Sequence, residues 1–324
     1  MTLAQTPPAP LTVVFIASSG RSGSTILDRI LGSAPGACSC GELQRFWDVL
    51  YLPDRLCGCG AKLLECPFWT SVIAAFGPIT PGDAGRFARL HEMVTRTRSL
   101  PLHWTPVRPA ALRAAVSEYQ GVVLRLLQAI AGVSARSTLI DSSKGAGYGW
   151  LLSSLPGIRL KVINLVRDSR AVANSWLNHH RLQTRRPFYP WNATYAALGW
   201  DVEHAIAELM RRRAHAYVRV RYEDFARRPG AVLSELAGKL GIAVPDVSPE
   251  GEVLQAEAHM IAGNRTRFLK GPLKIEEDQR WKSELSALDA AKVTALTWPL
   301  LLRHGYPVTY ARGGLPSRSS MAAG

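Results

Sequence analysis

The residues most suited to chemistry come early. Ser18-Ser19-Gly20-Arg21-Ser22-Gly23-Ser24-Thr25 lies between an apolar run that stops at Ala17 and an apolar pattern that resumes at Ile26. Glycines let a backbone curl so that successive N–H groups point inward. A helix start adds partial positive charge, and Ser24 and Thr25 offer hydroxyl donors. A bare Gly/Ser turn would read as a simple helix cap. The order strand, loop, arginine, helix favours anion binding instead. The loop departs from the nucleoside-triphosphate pattern G-x-x-x-x-G-K-[ST] at two places. Ser18 stands where its first glycine belongs, and Ser24 stands where its lysine belongs. A magnesium-dependent triphosphate site is therefore not expected, and the cation on offer is Arg21.

A second anion anchor follows a later apolar run. Arg167 sits at a strand exit, Asp168 or Ser169 can cap the next helix, and Ser175 lies about two turns into it. Taken alone, this is equally an N-capped helix with a solvated arginine. Taken with the first loop, it suggests a ligand carrying two separated phosphates.

At this point the sequence resembles the sulfotransferases that use 3′-phosphoadenosine 5′-phosphosulfate (PAPS). SGRSGST is similar to their 5′-phosphosulfate loop, and RDSRAVANS to their 3′-phosphate motif. The eight-position interval from Arg167 to Ser175 matches as well. Arg221-Tyr222-Glu223-Asp224-Phe225 with Pro229 resembles their YED-plus-proline segment, and Ile140-Asp141-Ser142-Ser143-Lys144 a DSSK segment of bacterial members. Gly263 to Phe268 and Asp278 to Lys282 resemble their C-terminal blocks. The similarity runs from about Val13 to Lys282. Each motif is weak by itself; their order and spacing are specific.

The resemblance implies in-line sulfuryl transfer without a covalent enzyme intermediate, to a small-molecule, glycan or peptide hydroxyl, or to an amine. Ser22, Gly23, Ser24 and Thr25 would hold the 5′-phosphate. Arg167 and Ser175 would hold the 3′-phosphate, with Arg267 as an additional ligand, and Tyr222 would lie near the adenine. Arg21 would stabilise the leaving phosphate oxygen, as an always-charged bidentate donor can, and Lys144 would be a second cation near the sulfonate. Cys40-Gly41-Glu42-Leu43 is similar to the CGE segment of tyrosylprotein sulfotransferases and bacterial relatives, so Glu42 is the expected general base. A glutamate in a helix's first turn is the plainer reading of that position. His103, in SLPLHWTP, is a weaker candidate base. No metal is expected to be needed for the transfer.

These residues need strands to position them. Thr12 to Ala17, Ser137 to Ile140, Lys161 to Val166 and Ala216 to Arg221 read as buried parallel strands. Each is followed by a polar turn and a helical pattern. The amphipathic run Ala110 to Ala131 is the clearest helix. The expected fold is α/β, a P-loop-type parallel β-sheet flanked by helices on both faces, with ligands at the carboxyl ends of the strands. One domain over 11–311 is expected, with flexible tails at 1–10 and 312–324. A helical, Cys-rich cover spans 53–69. Trp104, Trp176, Trp191 and Trp200 could wall an acceptor pocket, although aromatics are more often core. Arg185 and Arg186 could meet an anionic acceptor or simply be solvated.

The 324 residues are 47% hydrophobic and 20% charged, enough for a sizeable core and unlike a disordered chain. A net charge of +14 favours an anionic partner. A basic nucleic-acid-binding protein and a P-loop small-molecule kinase are the alternatives. The first lacks any recognised signature and the second lacks the loop lysine. No secretory or membrane-spanning segment is visible, so a cytoplasmic location is expected. The five cysteines all fall between Cys38 and Cys66. Cys57, Cys59 and Cys66 are read first as packed, with metal binding or redox pairing as alternatives, because no histidine is near in sequence.

Overall fold

The computed structural model describes residues 10–96, 109–182, 192–248, 251–254 and 258–310. Expectations for the tails, His103, Trp104, Arg185, Arg186 and Trp191 fall outside these. Five strands form one parallel sheet. They are β1 (Leu11–Ala17), β2 (Ala37–Gly41), β3 (Thr138–Lys144), β4 (Ile158–Val166) and β5 (Ala216–Arg221), in the order β2-β3-β1-β4-β5. The chain leaves β1 for β2 at one edge and returns from β3 across β1 to β4. The direction therefore reverses over the carboxyl end of β1, where open α/β sheets bind ligands.

Side-chain alternation along β1 divides the core in two. Val13, Phe15 and Ala17 face one cluster, built largely by the helices Pro67–Phe76, Pro81–Thr95 and Ala110–Ser134. Val14 and Ile16 face the other, with Leu27, Ile30 and Leu31 of the helix Ser24–Gly32 and Leu233 and Leu236 of the helix Pro229–Leu240. The expected α/β architecture is what the chain adopts. Among the described residues, no helix is long and apolar enough to cross a membrane.

Two strands differ from the sequence reading, for physical reasons. β2, with the sequence ACSCG, has no β-branched or aromatic residue and carries no propensity signal. Its pairing with β3 decides it, and Ser39 anchors it by donating a 2.5 Å hydrogen bond to Asp28. β3 continues through the polar residues DSSK, which read as a turn. It continues because its buried polar groups find partners. Ser142 donates to Asp28 at 2.6 Å, and the Ser143 N–H donates to Asp141 at 2.9 Å. A register shift between Phe15 and Ala17 lets Lys144 end the strand with φ of 70°.

Candidate functional site

The loop after β1 is held by its own polar groups. The Ser22 hydroxyl donates to the Ser19 carbonyl at 2.7 Å, and both hydroxyls meet at 2.9 Å. Gly23, with φ of 84°, precedes the helix Ser24–Gly32, and its carbonyl accepts from the N–H groups of Ile26 and Leu27. A Cβ at Gly20 would lie 2.5 Å from the Trp176 ring, and one at Gly23 2.8 Å from the Tyr222 ring. Trp176 and Tyr222 thus pack directly against the loop. Arg21 has φ of 73°, an uncommon conformation for a non-glycine residue.

The two anchors meet. Arg21 Nε donates to Ser175 Oγ at 2.9 Å across 154 positions of sequence. Arg167 Nη1 donates to the Arg21 carbonyl at 2.9 Å. Arg167 is buried, its guanidinium lies 4.6 Å from the Tyr222 ring centroid, and its Nη2 reaches the Asp278 carboxylate at 3.2 Å. The Tyr222 hydroxyl donates to the Glu276 carbonyl at 2.8 Å, which fixes the ring's far end. Asp278 in turn accepts from Arg280 at 2.9 and 3.0 Å.

Local sequence explains how Arg167 is aimed. The Asp168 carboxylate accepts from the Arg170 N–H at 2.9 Å and so caps the helix Ser169–Leu182. Arg170 is itself structural, fully buried, paired with Asp168 and donating to the Pro307 carbonyl. Trp200 Nε1 donates to the Arg167 carbonyl at 2.9 Å. Trp200 is core and orients the arginine's backbone, so it does not wall a pocket. Glu223 bridges elements by accepting from the Asp168 N–H and the Tyr306 hydroxyl, at 3.2 and 2.6 Å.

Positive charge is in excess here. Burial, then the nearby Arg167 and Arg280 guanidinium groups, pull the Arg21 pKa down, and Asp278 opposes them only in part. Arg167 Nε is buried and meets no acceptor. Desolvated cations with unspent donors stabilise an incoming anion. The donor set of Arg21 and Arg167 fits a phosphate.

A second cluster lies at the ends of β2 and β3. Lys144 Nζ is paired with Glu42 Oε1 and also donates to the Ser142 carbonyl at 3.1 Å. The Glu42 N–H donates to the Ala262 carbonyl at 3.4 Å, and Gln44 holds Ser143 from the same turn. The structure therefore brings the expected base and the expected second cation into direct contact. Beneath them, burial pushes Asp28 and Asp141 up to about 7. Arg267 donates to the Gly263 carbonyl at 2.5 Å, and its pKa falls to about 10, chiefly by burial and then by Arg55, with Glu42 opposing. The same turn meets the start of the helix Ser24–Gly32, where the Asn264 N–H donates to Thr25 Oγ1 at 3.2 Å.

Asp28, Asp278 and Arg280 had no role in the sequence reading. Asp278 and Arg280 fall in a block whose resemblance was visible, but which residue they would touch was not. Asp28 carried no signal, since an aspartate inside an amphipathic helix reads as solvated. The cysteines also look different in space, because Cys57, Cys59 and Cys66 converge with His259.

No protein-family model matches the chain, and no curated protein does. Solved structures are similar to it. One is a sulfotransferase domain from the curacin biosynthetic pathway, at 19% identity and a TM-score of 0.49 over 92% of this chain and 99% of that one. Another is a sulfotransferase from Alicyclobacillus acidocaldarius, at 15% identity and a TM-score of 0.39 over 87% and 94%. A third is the sulfotransferase STF9 from Mycobacterium avium, at 13% identity and a TM-score of 0.42 over 96% and 74%.

Proposed function

We propose that this chain is a sulfotransferase that moves a sulfuryl group from PAPS to a hydroxyl or amine acceptor. The observation that carries the reading is the contact between its two anion anchors, Arg21 to Ser175 and Arg167 to the Arg21 carbonyl. A donor with one phosphate at each end suits such a joined site better than a triphosphate does. When bound, PAPS supplies the sulfuryl group, whose sulfur bonds to the acceptor oxygen or nitrogen as its bond to the 5′-phosphate oxygen breaks.

The chain's own residues have distinct parts. Ser22, Gly23, Ser24 and Thr25 receive the 5′-phosphate at the helix start. Arg167 and Ser175 receive the 3′-phosphate, and Tyr222 borders the adenine. Arg21 offers a fixed cation where charge develops on the leaving oxygen. Glu42 takes the acceptor's proton, and Lys144 orients that carboxylate and faces the sulfonate. Arg267 is an additional ligand of the 3′-phosphate.

Calorimetry with adenosine 3′,5′-bisphosphate tests the reading. Wild type is expected to bind without magnesium. Arg167→Ala loses charge-assisted hydrogen bonds of about 1.5–3 kcal/mol each, so its affinity is expected to drop at least about tenfold. Absence of binding by the wild-type protein would remove the proposal.

A further inference from the structure

The Cys-rich cover has a chemistry that the transfer site does not use. Leu56 and Lys62 form an antiparallel bridge, and within the turn the Cys57 N–H donates to the Ala61 carbonyl at 2.9 Å. The Gly60 N–H donates back to the Cys57 carbonyl at 2.9 Å, with Gly60 at φ of 95°. This tight knuckle presents Cys57 and Cys59 together. Cys66 stands at the start of the helix Pro67–Phe76. His259 arrives from the other end of the chain, 193 positions beyond Cys66.

The distances among the four side chains are informative. Cys66 Sγ lies 3.6 Å from Cys57 Sγ and 3.7 Å from Cys59 Sγ. His259 Nδ1 lies 3.3 Å from Cys66 Sγ and 3.8 Å from Cys57 Sγ. A tetrahedral zinc ion, with bonds of about 2.3 Å to sulfur and about 2.0–2.1 Å to nitrogen, sets its ligands about 3.8 Å apart for two sulfurs and about 3.5 Å for sulfur and nitrogen. All four ligand atoms lie within 4.8 Å of one another. A disulfide would engage two sulfurs and leave the third and the imidazole unexplained. Apolar packing would account for the sulfurs but not for a ring nitrogen aimed at two of them.

The surroundings hold the fourth ligand in place. The His259 ring stacks on Phe68 at 4.8 Å and 10°, and Trp69 Nε1 donates to the His259 carbonyl at 2.8 Å. The Gly58 N–H donates to the Met260 carbonyl at 3.0 Å, and a Cβ on Gly58 would come within 2.5 Å of the Ala258 carbonyl oxygen. The knuckle can therefore approach the backbone at Ala258 to Met260 only with glycine there. Cys57 and Cys66 are buried, whereas Cys59 and His259 are partly exposed, which leaves an entry side.

We propose that Cys57, Cys59, Cys66 and His259 bind one zinc ion as a closed structural site. Three thiols lose protons to solvent on binding, and the metal keeps its oxidation state. Three thiolates and one imidazole in tetrahedral array select zinc over harder cations. The ion ties the cover to the segment 258–262 that supports the transfer site, since the residues after His259 bond to the Glu42 turn. Ile261 N–H donates to the Cys40 carbonyl at 3.1 Å, and the Ala262 carbonyl accepts from Glu42. The zinc site stands whether or not the chain transfers sulfuryl groups.

Elemental analysis of the full chain, produced with zinc in the medium, is the test. About one zinc per chain is expected, as for other closed sites of this ligand class. Cys38→Ser, outside the cluster, is expected to keep that content. His259→Ala is expected to lose it, and His259→Cys to retain it as a four-cysteine site. Cobalt(II) added to chelator-stripped wild type is expected to give the visible bands of a tetrahedral thiolate complex. These last two readings remain decisive if His259→Ala fails to fold. Folded wild type without zinc and without a cobalt thiolate spectrum would overturn the proposal. So would a Cys57–Cys66 disulfide in the purified protein, or undiminished zinc in a folded His259→Ala.

Discussion

Gly23→Ala should separate backbone strain from damage to the nucleotide site, with Gly36→Ala as its partner. Both glycines have left-handed backbones, at φ of 84° and 77°. A Cβ at Gly36 meets nothing within 4 Å, so that substitution costs only the left-handed strain, about 1–2 kcal/mol. A Cβ at Gly23 would lie 2.8 Å from two Tyr222 ring carbons. The ring has little room to yield, because its hydroxyl is tied to the Glu276 carbonyl at 2.8 Å and one face carries the Arg167 guanidinium at 4.6 Å. Overpacking of this kind adds about 1–3 kcal/mol. Urea unfolding should therefore place Gly23→Ala below Gly36→Ala by about that amount. Titration with adenosine 3′,5′-bisphosphate should show weakened binding for Gly23→Ala and wild-type affinity for Gly36→Ala. Equal stability losses with unchanged affinity in both variants would refute the idea that Gly23 exists to admit Tyr222 and Arg167.

Other expectations follow from the same contacts. Glu42→Gln should keep bisphosphate binding and lose sulfuryl transfer; unchanged turnover would rule Glu42 out as the base. Trp200→Phe removes the donor to the buried Arg167 carbonyl, so it should cost about 1–3 kcal/mol in urea and weaken nucleotide binding. A loss of stability with intact affinity would confine Trp200 to the core. Asp28 and Asp141 are raised by burial to about 7 from 3.8, so the folded state holds their protons more tightly than the unfolded chain does. Their contribution is fully present below the unfolded value and is lost as pH rises through the folded one. Urea midpoints should therefore fall between roughly pH 4 and 7, and Asp28→Asn should flatten that slope; a slope identical in the variant would show that Asp28 stays ionised throughout. Asp278→Asn removes the carboxylate that occupies Arg167 Nη2, and bisphosphate affinity should rise. A fall would mean that Asp278 serves mainly to hold Arg167 and Arg280.

The sequence by itself determined what is local. Apolar runs ending in polar turns marked β1, β4 and β5, and the Gly/Ser loop announced an anion site because curled N–H groups need those residue types. Arg167 at the exit of β4 and Ser175 in the helix Ser169–Leu182 are joined by one short local segment, so their relation is readable from spacing. Tertiary structure decided everything that joins distant elements. β2 has no propensity of its own and exists because Asp28 and β3 accept its groups. The DSSK run became strand because its hydroxyls found buried carboxylates. Arg21 met Ser175, Glu42 met Lys144, and His259 met three cysteines, at sequence separations of 154, 102 and 193 or more. No periodicity links such positions. Their distance is set by strand order and by which loops emerge at the carboxyl ends of neighbouring strands. A local pattern can name the chemistry a segment offers, but packing chooses the partner that chemistry meets.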